Sequence, residues 1–254
     1  PSPDARVAPL NRLARRVPVA GVVASEKPRR PGAAPPPAMA PKAAPVLPAE
    51  PGWITQLISI TPESVRFECG TEVFLRMLAA FHPNLGNTAM RAVVLCHALG
   101  GSLQLPLHQR QSLLWAAALH DIALVQMDSG LVRRWMRGPE KCTREELCLI
   151  KQHPARAQRL LEFYPALREA GEIIRAHHEN WDGTGFPDGL KMETIPWLAR
   201  LLAIVTFYCS KHQPNERTIS EIQYQAQRLF DPKAVEAVRR VAPTVRLPRG
   251  QREV

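Results

Sequence analysis

No run of eighteen apolar residues occurs anywhere in the 254-residue chain, so no membrane-spanning helix is expected. The opening residues have neither the long apolar segment nor the overall layout of a secretory signal. Pro1 stands where a Met would start a complete chain, as expected of a piece of something longer. The five cysteines, Cys69, Cys96, Cys142, Cys148 and Cys209, form no Cys-x-x-Cys pair and are odd in number. A zinc ribbon or a disulfide scaffold is therefore not expected, and a reducing cytoplasm is. Strand-like alternation is missing too, and so is any internal repeat, which turns the reading toward helices.

The charge is also unevenly spread. A net charge of +10 suggests an anionic partner such as nucleic acid or a membrane surface. Residues 1–50, however, hold eight basic side chains against three acidic ones, and residues 239–254 hold five against one. The middle is left nearly neutral, so the basic character belongs to the ends and nucleic acid is not the expected partner of the body.

Three segments follow from composition. Residues 1–52, with Pro35-Pro36-Pro37 at their centre, read as a disordered, basic, Pro/Ala-rich leader or linker, because proline lacks the donor that a packed backbone needs. Residues 53–240 read as an all-α helical bundle, and residues 241–254 as a basic tail. Asn87 is placed to cap a helix carrying Met90, Val93, Val94, His97 and Ala98. Leu113, Leu114, Ala117 and Ala118 make an apolar face running into His120-Asp121. Thr143 with Glu146 spells a capping box, and Pro154, Pro165 and Pro196 each suit a helix start. Three glycines and a proline make residues 182–189 a loop.

Five donors recur near the expected helix ends: His120, Asp121, His153, His177 and His178. A single such histidine is ordinarily a packed or surface residue. The doublets carry more weight. His-Asp sets a neutral nitrogen beside a carboxylate able to bridge cations, and the mixture of imidazole and carboxylate suits a hydrolytic metal site. Plainer readings stand beside this one. His153 could cap the helix begun by Pro154, and His177 could be a metal-free buried partner of Asp121. Glu179, Asp182 and Asp188 could be ordinary loop residues, and the glycines could serve only positive φ.

The runs His120-Asp121-Ile122, Lys151-Gln152-His153-Pro154, His177-His178-Glu179-Asn180-Trp181-Asp182-Gly183-Thr184-Gly185-Phe186-Pro187-Asp188-Gly189-Leu190 and Ile195-Pro196-Trp197-Leu198-Ala199-Arg200 follow one another in a known order and spacing. Together with Phe230-Asp231-Pro232 they resemble the bacterial HD-GYP family over roughly residues 80–240. The resemblance implies an HD-domain helical bundle around a centre of two or three metals. It also implies hydrolysis of cyclic di-GMP and a place in the bacterial cytoplasm.

The departures bear on that implication. Active members carry a lysine where this chain has Leu124, and a metal-binding Asp, in an Ile-Ala-Asp-Ala-Tyr-Asp-like stretch, where it has Thr206. Pro83 and Asn87 stand at the positions of an upstream Glu and His, and Phe186 replaces a tyrosine. With Asp121 as the one certain anion, a full multinuclear centre would be under-neutralised. The expectation is a catalytically impaired domain holding one or two divalent transition metals (Fe, Mn, Zn or Ni), or none, at His120, Asp121, His153, His177 and His178. It would bind cyclic di-GMP or a related nucleotide, or a diguanylate cyclase-type domain, through Asp182, Gly183, Gly185, Phe186 and Pro187. The alternatives are a residual metal-dependent phosphodiesterase and, more remotely, a nucleic-acid binder acting through the basic ends.

Overall fold

The computed structural model describes residues 71–211 and 213–248. The leader expected over residues 1–52, the start of the bundle at Trp53, Cys69 and the last six residues lie outside them. Ten α-helices and several short 3-10 turns make up the described residues, and no β-strand occurs among them. In chain order the helices are α1 (Thr71–Phe81), α2 (Pro83–Ser102), α3 (Leu107–Leu119), α4 (Ser129–Arg137), α5 (Arg144–Ile150), α6 (His153–Leu161), α7 (Arg168–Arg175), α8 (Trp197–Ser210), α9 (Glu216–Tyr224) and α10 (Pro232–Val241). The all-α expectation holds. None of these helices is long and apolar enough to cross a membrane.

Helix boundaries follow local chemistry. Thr143 and Glu146 exchange side-chain and backbone bonds in the expected capping box of α5. Asp231 caps α10 by accepting the Lys233 N–H, and Pro232 follows at the first turn. Asn87 is not a cap. His82 caps α2, and Asn87 lies in the interior of that helix, where it is buried. His153 is no cap either: it is the first residue of α6, completely buried, with Gln152 before it.

Two apolar clusters organise the packing. The larger joins α2, α3, α7, α8, α9 and α10 through residues such as Leu99, Leu113, Ile174, Leu202 and Val238. The smaller joins α1, the start of α2, α4 and the 3-10 turn Ile122–Gln126 through Leu78, Met90, Leu124 and Val132. Burying such side chains contributes about 1.5–3 kcal/mol each. His120 and Asp121 sit between α3 and that turn, at the meeting of the two clusters. The tail expected from residue 241 is part of the folded body through Pro248. Val241 ends α10, Leu247 packs on the larger cluster, and the buried Arg91 donates to the Pro248 carbonyl at 2.9 Å.

Candidate metal and nucleotide site

Local backbone geometry aims three of the histidines. Nδ1 of His120, His153 and His177 lies 2.9, 2.8 and 2.6 Å from the carbonyl oxygen three residues earlier, that of Ala117, Ile150 and Ile174. A carbonyl only accepts, so Nδ1 of each ring carries the proton and Nε2 of the neutral ring keeps its lone pair. This is the arrangement that orients a metal-binding imidazole. Nε2 of His153 and of His177 is buried with no hydrogen-bond partner.

Asp121 completes the group. Its carboxylate lies 3.2 Å from His120 Nε2 and 3.4 Å from His153 Nε2. One donor atom each from Asp121, His153, His177 and His178 falls within 4.8 Å of every other. His120 stays outside this foursome and reaches it through Asp121. His177 makes no bond to Asp121, so it is not the metal-free partner that the plainer reading supposed. Three imidazoles and a carboxylate, two of them with orphaned lone pairs, fit a divalent transition metal.

The electrostatics agree with a site built for positive charge. Burial alone would raise the Asp121 carboxyl, but the surrounding imidazoles outweigh it and hold the group far below the ordinary carboxylate range. Burial lowers His120, and the Asp121 carboxylate more than reverses that, so the ring ends up raised. Burial lowers His153, His177 and His178, with His177 pushed down to about 3. Those three rings are therefore neutral at physiological pH, the state in which imidazole binds a cation.

The loop over residues 182–189 is bolted in place from several sides. The Glu179 carboxylate accepts three backbone N–H bonds, from Asp188 at 2.7 Å, Gly189 at 3.1 Å and Leu190 at 3.0 Å. Asp182 accepts from the Thr184 N–H and hydroxyl, and Asp188 pairs with both Arg175 Nε and Nη2. Trp181 and Asp182 donate to the carbonyls of Leu229 and Arg228. Arg200 binds Asp231 at 2.7 Å and lies over the Trp181 and Trp197 rings, which connects the separate sequence runs. These carboxylates are structural braces, not incidental loop residues.

Two glycines serve different ends. Gly183 has φ of +85°, a conformation that L side chains resist. Gly185 is needed for closeness: a Cβ there would lie 2.5 Å from Glu179 Cα and 2.6 Å from the His178 carbonyl, and against the Asn180 nitrogen. That approach lays Phe186 on His178, ring centroids 4.7 Å apart and 21° from parallel.

Beside the cluster opens a cavity of about 560 Å³, within the range of small-molecule sites. His120, Asp121, His177 and His178 line it, and His153 lies behind them. None of Asp182, Gly183, Gly185, Phe186 and Pro187 lines it, so the expected binding loop borders the cluster and not the cavity. Thr206 does face the cavity, with its hydroxyl donating to the Ala203 carbonyl at 3.1 Å. Leu124 does not: its side chain is wholly buried in the smaller apolar cluster. The cavity's long walls come from two helical faces that motif reading passes over. Asn84, Asn87, Thr88 and Arg91 lie on α2, and Ala203, Thr206, Phe207 and Ser210 on α8. Both sets run i, i+3, i+4, i+7, a spacing visible in the sequence once the helices are known.

Residues 72–233 match the model of the HD domain family. Over 133 residues the chain is 33% identical to a cyclic di-GMP phosphodiesterase of Thermotoga maritima; the match covers 48% of this chain and spans 35% of that relative's length. A solved cyclic GMP-AMP-specific phosphodiesterase of Vibrio cholerae shares the fold with a TM-score of 0.55 at 19% identity, over 68% of this chain and 48% of that one. An HDG"Y"P protein of Bdellovibrio bacteriovorus shares it with a TM-score of 0.53 at 17% identity, over 75% and 68%. With its His120-Asp121 doublet at the heart of the matched region, the chain belongs to the HD domain family, as a diverged member of the HD-GYP type.

Proposed function

We propose that this domain binds a cyclic dinucleotide of the cyclic di-GMP class and hydrolyses it far more slowly than an intact family member, acting as a nucleotide- or partner-binding module of the bacterial cytoplasm. The observation that carries the reading is Thr206. It faces the cavity where the resemblance calls for a carboxylate, and its hydroxyl is turned back onto its own helix. Leu124, at the lysine position, offers the cavity no cation. Asp121, His153, His177 and His178 would hold one divalent transition metal, with Fe, Mn, Zn and Ni as candidates, and His120 would orient Asp121. When bound, such an ion polarises a phosphoryl oxygen and lowers the pKa of a bound water. The protein's own part is to hold neutral Nε2 lone pairs in place and to cover His178 with Phe186.

The relatives' activities favour a cyclic dinucleotide over other phosphate esters. A diguanylate cyclase-type partner would meet the exposed edge of the loop at Thr184, Asp188 and Gly189. A second reading, a residual metal-dependent phosphodiesterase, is favoured by the orphaned nitrogens of His153 and His177.

The test is a binding and turnover assay on cyclic di-GMP and 3'3'-cGAMP with Mn(II) or Fe(II) supplied. The expected outcome is binding with turnover at least about 100-fold below an intact member, because one missing electrostatic contact costs about 2.7–4 kcal/mol. Turnover of about 1 per second or faster would establish the second reading instead.

A further inference from the structure

Asn87 is 5% exposed, lines the cavity, and its carboxamide makes no hydrogen bond to any described residue. A carboxamide brings two donors and two acceptor sites, and at Asn87 they are left open to the cavity instead of being paired within the described residues. A polar group that faces a cavity and has no partner within the described residues is placed to pair with whatever fills it.

The other walls narrow what that is. Phe207 on α8 and Phe230 just before α10 line the same cavity and meet edge to face, ring centroids 5.4 Å apart at 64°. The Lys211 ammonium, paired with Glu221, sits over the Phe207 ring at 4.3 Å and holds it from one side. The cavity therefore joins an aromatic wall, an unpaired amide and, at one end, the Asp121–His178 cluster. A metal ion or a water does not need the aromatic wall, and a simple apolar ligand would leave the amide unpaired.

We infer that Asn87 is a recognition residue whose carboxamide pairs with the edge of a nucleobase packed against Phe207 and Phe230, the attached phosphate lying toward the His/Asp cluster. Bases present adjacent donor and acceptor atoms on one edge, the complement of a carboxamide, and they pack on aromatic side chains. The inference deepens the cyclic dinucleotide reading above and rests on it. It assigns the ligand's base to the α2–α8 side of the cavity, at a position where the resemblance alone would look for a metal-ligating histidine.

The experiment measures binding of cyclic di-GMP, 3'3'-cGAMP and inorganic phosphate to the full chain by calorimetry, for wild type, Asn87→Leu, Asn87→Ser and Phe207→Leu, with a thermal melt of each. Asn87→Leu and Asn87→Ser are expected to weaken cyclic dinucleotide binding about tenfold or more, with phosphate binding unchanged. Asn87→Leu should leave the melting temperature near that of the wild type, because the carboxamide bonds to no other described residue. Phe207→Leu should weaken the dinucleotides and spare phosphate. Dinucleotide affinity unchanged in both Asn87 variants overturns the inference and leaves the parent reading standing. A fall in melting temperature with parallel loss of phosphate and dinucleotide binding marks a structural role and overturns it as well. Wild-type protein that binds neither dinucleotide overturns the parent reading and this one together.

Discussion

The two sides of the cavity are built in different ways. On one side, the donors sit at helix ends: His120 closes α3, His153 opens α6, and His177 and His178 follow α7. Three of these rings are held by a bond to the carbonyl three residues back, so their aim depends on local backbone alone. On the other side, the residues lie on mid-helix faces of α2 and α8, where helix packing turns them to the cavity; Thr206 also bonds back to the Ala203 carbonyl, and Arg91 reaches the Pro248 carbonyl. The first side keeps every donor that the motifs promise. The second carries Asn87 and Thr206 at the positions where the resemblance to the HD-GYP family looks for metal ligands. Donors at helix ends take their aim from the turn that carries them, whereas residues on a mid-helix face take theirs from the way the whole helix packs.

The largest effect is expected from treating Leu124 as though it belonged to the cavity. Leu124→Lys places an amine inside the smaller apolar cluster and should cost on the order of 4 kcal/mol in urea unfolding, with no gain in turnover. A stable, more active variant would show that the turn Ile122–Gln126 can rotate toward the ligand, and the contrast between buried and facing positions would collapse.

Gly185→Ala comes next. Its new methyl would press on the backbone of residues 178–180, which cannot yield as a flexible side chain would. A loss of about 3 kcal/mol is expected, together with weaker metal binding as His178 loses its cover. Normal stability in chemical unfolding would mean that the loop is not bolted to the cluster.

Acid should weaken the helix-end side in chelator-treated protein. His153, His177 and His178 have folded pKa values below the ordinary imidazole value of about 6.5. Each contributes stability that is complete above that value and is lost as pH falls, for His177 down to about 3. His120 is raised and works in the opposite sense: its contribution is present below about 6.5 and fades as pH rises through its folded value. Three depressed rings against one raised ring predict a net loss of stability between pH 7 and 5, read from melts at the two pH values. His177→Gln should flatten that slope, and an unchanged slope would remove His177 from the account.

The smallest change in stability belongs to Thr206→Asp. The site is half-buried and faces the cavity, so the fold should shift by less than about 1 kcal/mol. Metal content by elemental analysis should nevertheless rise, because a second carboxylate joins Asp121. No rise would mean that α8 stands too far from the cluster to contribute.

The helix-end side is legible in the amino-acid sequence alone. Its donors come in doublets and runs, His120-Asp121, His153-Pro154 and His177-His178-Glu179, and the capping box at Thr143 and the proline helix starts are equally local signals. Glu179 is visible as part of its run, but its task is not. Its partners are the backbone N–H groups of Asp188, Gly189 and Leu190, and backbone amides look alike in every sequence. The placement of Asn87 as a cap fails for a related reason. A cap is recognised by a side chain free to turn to the first N–H groups, and the helix begins earlier, at Pro83 under His82.

By itself, the sequence determined an all-helical body and singled out the His and Asp side chains that the fold gathers, because helix periodicity, capping and motif order are properties of neighbours along the chain. Only the tertiary structure decided that Leu124 turns into the core while Thr206 faces the cavity. The same holds for His120 standing one step outside the foursome, and for Asn87, Phe207 and Phe230 sharing one space. Those facts depend on how α2, α3 and α8 rotate about their axes as they pack. That rotation is set by the summed fit of many apolar side chains, such as Leu99, Leu113 and Leu202, and no single local run records it.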